Sequence, residues 1–262
     1  MSTCAVNGIR IHYEVSGEGS PLVLIHANPF DRRLWMYQAA HFSTFFRVIN
    51  VDIRGYGYSD KPTSSTSIMG MAEDVVGVLR SEGAKEAIVA GISVGGVMAL
   101  QLGLDHPKIF KSLILVGCSS GPGGRYQERI DGYTEGVEKY HIQHLRALVS
   151  KDFSDSRLGG YLLKNFTEWD KRLSAKAIIE IFKALQNRDV TNRLGELKMP
   201  VLVINGEFDN SLPRSREMSR RIAGAIHRMI PKTGHACCLE DPMAFDEIVI
   251  DFLKTHGFVP QS

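Results

Sequence analysis

The chain has 262 residues, 44% of them hydrophobic and 23% charged, so it is long enough for one large domain with a substantial buried core. Its 31 basic and 29 acidic residues give a formal net charge of +2, which argues against a large basic face for nucleic acid. One local group of arginines is interpreted as a solvated helix face: Arg214, Arg216, Arg220, Arg221 and Arg228.

Targeting signals and cysteine usage suggest where the protein works. The first residues lack a charged segment followed by an apolar core, so no signal peptide is predicted. No apolar run approaches the roughly 20 residues that a membrane helix needs, and no membrane partner is expected. Cys4, Cys118, Cys237 and Cys238 lack the spacing of a metal site and predict a reduced, cytoplasmic protein.

The first predicted elements are two short strands over residues 3–15, joined by a tight turn at Asn7-Gly8. Apolar and polar residues alternate after the turn, which predicts one solvent-facing side and makes His12 an exposed strand residue. Later strands are predicted at 22–25, 47–51, 87–90, 111–117, 200–205 and 228–230. Helices are predicted at 34–40, 67–81, 97–104, 213–222 and 241–255, with Ser67 as an N-cap.

Strand alternates with helix through both flanks of the chain, which predicts an α/β fold. The expected architecture is a mostly parallel, twisted sheet of about eight strands with helices on both faces. Residues 121–193 look helical throughout and begin with a glycine-rich break, so they are interpreted as a helical insertion. The core is therefore predicted to comprise residues 1–120 and 194–262.

The most informative stretch is Gly91-Ile92-Ser93-Val94-Gly95, which lies between an apolar strand and an apolar helix. A serine between glycines at a strand-to-helix turn is typical of a nucleophile elbow, in which a strained backbone lifts the serine clear of the sheet. The alternative is a glycine-rich turn that contains a serine by chance. The flanking strand and helix favour Ser93 as a nucleophile.

A serine nucleophile needs a base within hydrogen-bond reach and a third group that orients the base. Asp209 follows the predicted strand at 200–205, and His235 follows the strand at 228–230. Because sites in such sheets form outside the carboxyl ends of the strands, both side chains are expected near Ser93. Glu207 and His26 are the neighbouring alternatives for the carboxylate and for the histidine.

Five motifs carry a family resemblance: His26 with its small neighbour, residues 52–59, the elbow, residues 206–209, and Gly234-His235 followed by residues 239–242. On these motifs the chain resembles the α/β-hydrolase superfamily over essentially its whole length, in particular the serine-nucleophile branch of esterases, enol-lactonases and C–C hydrolases. The resemblance implies a catalytic triad of Ser93, Asp209 and His235 in that chain order. It also implies a structural role for His26 and a cap domain at 121–193.

Two backbone N–H groups are expected to bind the oxyanion that develops in acyl transfer. One is the N–H of Val94, directly after the nucleophile at the start of the helix. The other comes from the loop after the strand at 22–25, where Ala27 and Asn28 are candidates and Pro29 has no N–H. The resemblance favours Asn28, and Ala27 departs from the glycine that is commoner in the family.

The serine separates this chain from haloalkane dehalogenases and epoxide hydrolases, which the resemblance associates with an aspartate nucleophile. We predict a serine hydrolase that cleaves a small carboxylic ester or lactone through an acyl-enzyme, without a metal or another cofactor. The alternatives are a C–C bond hydrolase of a ring-cleavage product and a non-enzymatic small-molecule receptor. Candidate pocket residues, for which core or cap packing is the alternative, are Phe30, Trp35 and Trp169, with Tyr58, Tyr126 and Phe166.

Overall fold

The computed structural model describes residues 2–62, 64–169 and 173–259. These residues form an eight-stranded sheet with the strand order β1-β2-β4-β3-β5-β6-β7-β8. The strands are β1 Ser2–Val6, β2 Ile9–Ser16, β3 Pro21–Ile25, β4 Arg47–Val51, β5 Ala87–Ile92, β6 Phe110–Val116, β7 Val201–Gly206 and β8 Ile226–Ile230. Strand β2 pairs antiparallel with β1 and β4, and the remaining pairs are parallel. The predicted α/β fold with a mostly parallel sheet is confirmed.

Helices cover both faces of the sheet. They are α1 Met36–Phe42, α2 Ile68–Ser81, α3 Val94–Asp105, α4 Tyr126–Glu135, α5 Val137–Arg146, α6 Lys151–Asp155, α7 Arg157–Trp169, α8 Ala175–Gln186, α9 Leu212–Arg221, α10 Cys237–Glu240 and α11 Pro242–Thr255, with 3-10 turns at Arg32–Trp35 and Thr191–Glu196. The Ser67 hydroxyl accepts a hydrogen bond from the Gly70 N–H and so begins α2. No described helix is long and apolar enough to cross a membrane.

The segment between β6 and β7 contains α4 to α8, where the sequence predicts a helical insertion. The domain boundaries at residues 121 and 193 stay predictions. The continuously apolar strands are explained by burial on both faces of the sheet. In β3, for example, Val23 packs in a core cluster with residues of α2 and α3, whereas Leu22 and Leu24 pack in a second cluster with residues of α11.

The prediction that His12 is exposed is wrong, because its side chain is only 3% exposed. The loop after β4 folds back over β2, and its Ser59 hydroxyl accepts a hydrogen bond from the His12 backbone N–H at 2.8 Å. The Tyr58 ring lies 5.1 Å from the His12 ring, centroid to centroid. Alternation of residue types along a strand cannot reveal such a covering loop.

A buried carboxylate, Asp52, fastens this loop to the sheet. It accepts hydrogen bonds from the His12 ring at 2.9 Å and from both the backbone and the guanidinium of Arg32 at 3.0 Å. Burial alone would raise the pKa of Asp52, but the His12 hydrogen bond and the Arg32 charge lower it to about 2. The loop that follows β4 is therefore held by a charged, fully enclosed group.

All four cysteines are free thiols. Three of them, Cys118, Cys237 and Cys238, are buried, whereas Cys4 on β1 is partly exposed. Burial raises the pKa of the Cys118 thiol to about 12 and raises those of Cys237 and Cys238 well above the ordinary value. The three buried thiols are thus kept in their protonated, unreactive form.

Candidate active site

Ser93 lies in the sharp turn between β5 and α3, with a backbone φ of 57° and ψ of −118°. Such a conformation is strained for a residue with a side chain and is found mainly where function requires it. The two flanking glycines are required by contact: a Cβ at Gly91 would collide with the carbonyl of Gly95, and a Cβ at Gly95 would collide with the carbonyl of Ile25. The pattern of the motif therefore follows from the close approach of three backbone segments.

His235 and Asp209 form a hydrogen-bonded pair in the loops after β8 and β7. The His235 Nδ1 lies 2.9 Å from the Asp209 Oδ1. Asp209 is 4% exposed and also accepts hydrogen bonds from the Ser211 backbone N–H and the Asn205 amide, both at 2.8 Å. Because the carboxylate already has these partners, its orientation is fixed before any ligand binds.

The electrostatics of the pair couple the two side chains. Burial alone would raise the pKa of Asp209, but the His235 charge and the hydrogen bonds from His235, Ser211 and Asn205 hold it well below its usual range. Burial alone would lower the pKa of His235, but the Asp209 carboxylate outweighs it and raises the pKa above the ordinary 6.5. The histidine is therefore a stronger base than a free imidazole, as a proton acceptor from serine should be.

The two alternative residues are occupied elsewhere. The Glu207 carboxylate accepts a hydrogen bond from the Lys232 backbone N–H at 2.8 Å. His26 is fully buried, with Nδ1 2.9 Å from the Ala27 carbonyl and Nε2 accepting from the Ile53 N–H at 3.1 Å. Neither side chain is among the residues that line the cavity beside Ser93.

A cavity of about 130 Å³ lies over the carboxyl ends of β5 to β8. Ser93, His235, Asp209, Val94 and Asn28 all line it. Its other walls include four apolar side chains, three arginines and a tyrosine: Val97, Leu148, Phe182, Leu185, Arg125, Arg129, Arg214 and Tyr126. It is smaller than the roughly 300–1,000 Å³ of sites for drug-sized ligands, which indicates a small ligand. Among the described residues no group of three or more His, Cys, Asp or Glu side chains could hold a metal ion.

Two loop backbones reach the cavity next to Ser93. Val94 is the first residue of α3, and the first N–H groups of a helix have no partner within the helix. On the other side Asn28 lines the cavity, whereas Ala27 does not. The Asn28 side chain is 3% exposed, and neither atom of its amide has a hydrogen-bond partner among the described residues. The sequence motifs predict a role for the Asn28 backbone N–H but none for its side-chain amide.

The three aromatic residues predicted for the substrate pocket lie outside this cavity. Phe30 is buried and packs edge-on against Phe166 at 4.8 Å between ring centroids. Trp35 is also buried in the core, and Trp169 lies 4.9 Å from the guanidinium of Arg33. Their positions favour packing rather than ligand contact. Among the further aromatic candidates, Tyr126 does line the cavity, and Tyr58 and Phe166 do not.

Two residues that support His235, Glu240 and Gly117, were not predicted from the sequence. The half-buried carboxylate of Glu240 accepts hydrogen bonds from the Gly234 N–H at 2.8 Å and the Ser150 N–H at 2.9 Å, so it joins the histidine loop to the helical segment. Gly117, directly after β6, lies against the His235 ring. Its place at the end of a parallel strand is a signal that could have pointed to it.

A strained serine after a central parallel strand, beside a histidine that is hydrogen-bonded to a buried aspartate, is the arrangement of an α/β-fold hydrolase. Residues 20–242 match the alpha/beta hydrolase fold family, and the chain belongs to that family.

Solved structures and curated relatives agree with this assignment. The chain is 26% identical to an enol-lactonase from Burkholderia xenovorans, with a TM-score of 0.91 over 97% of this chain and 100% of that one. An esterase from Exiguobacterium antarcticum is 25% identical, with a TM-score of 0.84 over 95% and 97% of the two chains. A pimeloyl-[acyl-carrier protein] methyl ester esterase from Yersinia enterocolitica is 26% identical over 94% of this chain and 98% of its own length. The protein is a hydrolytic enzyme of this fold.

Proposed function

We propose that the protein is a serine hydrolase that cleaves a small carboxylic ester or lactone through an acyl-enzyme. The observation that carries the proposal is the shared cavity: Ser93, held in a strained turn, faces the same space as His235, whose Nδ1 bonds to Asp209. Relatives named as an esterase and an enol-lactonase support this substrate class. We also propose a cytoplasmic location, which the free thiols support.

The first half of the reaction forms the acyl-enzyme. The Ser93 oxygen attacks the carbonyl carbon while its proton passes to Nε2 of His235. Asp209 accepts the hydrogen bond from Nδ1 and stabilises the imidazolium. The negative oxygen of the tetrahedral intermediate binds to the N–H groups of Val94 and Asn28, each worth about 3 kcal/mol in such sites. The C–O bond then breaks, and His235 returns its proton to the departing alcohol oxygen.

The second half restores the enzyme. A water molecule gives a proton to His235 and attacks the ester carbonyl on Ser93, so that a second tetrahedral intermediate forms at the same N–H groups. Its collapse releases the carboxylic acid and returns the proton to the serine oxygen. In a lactone the alcohol and acid remain one molecule, which leaves only at this stage.

The test compares the wild-type protein with Ser93→Ala on p-nitrophenyl acetate and butyrate, with fluorophosphonate labelling of both proteins. Ser93→Ala should lose the label and lose activity by about 10⁶-fold, as for removal of the nucleophile in other serine hydrolases. Ser119→Ala is the matched control, because Ser119 also lines the cavity but lies outside the elbow. Full activity in Ser93→Ala would refute the proposal. Activity on a diketone C–C substrate above that on every ester would favour the alternative enzyme.

A further inference from the structure

The cavity carries an excess of positive charge that the proposed hydrolysis does not use. Arg125, Arg129 and Arg214 line it, and Asp209 is the one carboxylate among the described residues that do so. That carboxylate is already bonded to His235. A neutral ester would leave the arginines facing an apolar ligand, although an enclosed charge without a partner is costly.

Arg214 is the best placed of the three. It lies in the first turn of α9 and is half-buried, whereas Arg216, Arg220 and Arg221 of the same helix are exposed. The predicted solvated helix face is therefore wrong for Arg214, and Arg228 lies on strand β8 rather than on this helix. Its Nε is buried and has no hydrogen-bond partner among the described residues. A buried donor without an acceptor costs about 1–3 kcal/mol, which an incoming acceptor would recover.

The helical segment shapes the space for this side chain. A Cβ at Gly123 would lie 3.1 Å from the Arg214 Cδ, so the backbone before α4 packs directly against the arginine stem. Arg214 itself is among the residues that line the cavity. Burial raises the pKa of Tyr126, another lining residue, and the nearby Arg214 charge opposes this rise only in part.

Arg129 approaches from the helical segment. Its Nη1 donates a hydrogen bond to the Tyr140 hydroxyl at 3.0 Å, and its guanidinium carbon lies 6.0 Å from the centre of that ring. These contacts hold the side chain but do not neutralise it, and no ion pair with a carboxylate is found for it among the described residues. Arg125 differs, because its side chain is 66% exposed and pairs with Glu128 at 3.6 Å.

We propose that the substrate is an ester or lactone that itself carries a carboxylate, and that Arg129 and Arg214 bind this carboxylate. The inference rests on the proposed function and narrows its substrate class. Guanidinium groups bind carboxylates through paired, charge-assisted hydrogen bonds, which are stronger than neutral ones. The apolar side chains of Val97, Phe182 and Leu185 then contact the carbon chain between the carboxylate and the reacting carbonyl.

The experiment compares two p-nitrophenyl esters with acyl chains of equal length: the half-ester of glutaric acid, which ends in a carboxylate, and the valerate, which ends in a methyl group. We expect the wild-type enzyme to have the higher kcat/KM for the glutarate. Loss of one arginine contact, in Arg214→Gln or Arg129→Gln, should lower kcat/KM for the glutarate by about tenfold to a hundredfold. The valerate should change by less than about twofold, because it makes no hydrogen bond there.

Two control variants separate charge recognition from structure. Arg216→Gln removes an exposed arginine from the same helix and should leave the ratio of the two substrates unchanged. Tyr140→Phe removes the hydrogen bond that holds Arg129 but keeps its charge. Competitive inhibition of the wild-type enzyme tests the carboxylate site without any substitution. Glutarate should inhibit more tightly than glutaramide, which has no carboxylate.

The outcomes are distinct from those for the proposed function. Equal kcat/KM for both esters in the wild type, or equal losses for both in the arginine variants, would overturn the carboxylate site while Ser93→Ala still abolished turnover. Tighter inhibition by inorganic phosphate than by glutarate would overturn it in favour of a phosphorylated substrate. If Ser93→Ala kept its activity on both esters, the proposed function itself would fall.

Discussion

Gly117 offers a test of whether the position of His235 limits catalysis. This glycine follows β6, has a φ of 56°, and its backbone N–H donates to the Ile204 carbonyl at 3.0 Å. In Gly117→Ala the new Cβ would lie 2.8 Å from Cε1 and 2.9 Å from Nδ1 of His235. Gly224 is the matched control, because it has a φ of 73° and a Cβ there would meet no atom within 4 Å.

The expected losses of stability and of kcat follow from these distances. Both alanines pay the left-handed backbone penalty of about 1–2 kcal/mol, so both variants should unfold at lower temperature. Only Gly117→Ala also pushes on the histidine ring, which must withdraw by roughly 0.6 Å or more to restore ordinary carbon contact. That movement strains the 2.9 Å hydrogen bond to Asp209. Since a misplacement of about 1 Å can cost 10²-fold in rate, we expect kcat to fall about tenfold to a hundredfold.

The assay measures kcat on p-nitrophenyl acetate and the midpoint of thermal unfolding for wild type, Gly117→Ala and Gly224→Ala. Gly224→Ala should lose stability but keep kcat within about twofold, because its added methyl group meets nothing. Equal kcat in the two variants would refute the reasoning, since it would mean that the ring tolerates the contact or that its position is unimportant.

Three further predictions concern carboxylates that each accept several hydrogen bonds. Asp209→Asn should lower kcat by about 10⁴-fold. Activity needs neutral His235, and Asp209 raises the pKa of that histidine, so the acid midpoint of kcat/KM should move to lower pH in this variant. An unmoved midpoint would contradict this reasoning. Asp52→Asn should lower the free energy of unfolding in urea by about 3 kcal/mol at pH 7. The pKa of Asp52 is about 2 in the folded protein against an ordinary 3.8, so this difference in unfolding free energy should shrink as pH falls from 3.8 towards 2. Glu240→Ala should lower the unfolding temperature and kcat together, because two buried N–H groups lose their acceptor and each loss costs about 1–3 kcal/mol of stability. Glu240→Gln keeps one oxygen acceptor and should therefore restore part of the unfolding temperature and part of kcat.

The parts of the fold that local rules determine could be predicted from the sequence. The strand-to-helix turn at Ser93 is encoded within five residues, because close backbone contacts require both of its glycines. The pairing of Asp209 with His235 could be expected from the order of strand ends, since parallel strands bring their carboxyl ends to one edge. The predicted Asn7-Gly8 turn likewise joins β1 and β2, with Val6 opposite Ile9.

The remaining features depend on contacts between segments that are distant in sequence. His12 is buried by a loop some 40 residues later, so its own strand pattern was misleading. Arg214 lines the cavity and packs against the backbone at Gly123, far earlier in the chain, and this contact has no local sequence signal. Large aromatic residues such as Trp35 fill the core as readily as they line pockets, so residue type alone could not assign them.

The uneven protection of the thiols allows selective labelling. Cys4 is the partly exposed one of the four and lies on β1, the outermost strand of the sheet, whereas Ser93 follows a central strand. A maleimide dye should therefore attach at Cys4, and a fluorophosphonate dye at Ser93, without competing for one nucleophile. Energy transfer between the two dyes would then report the distance from the β1 edge of the sheet to the central strand β5, and its loss would show when the hairpin edge separates from that strand.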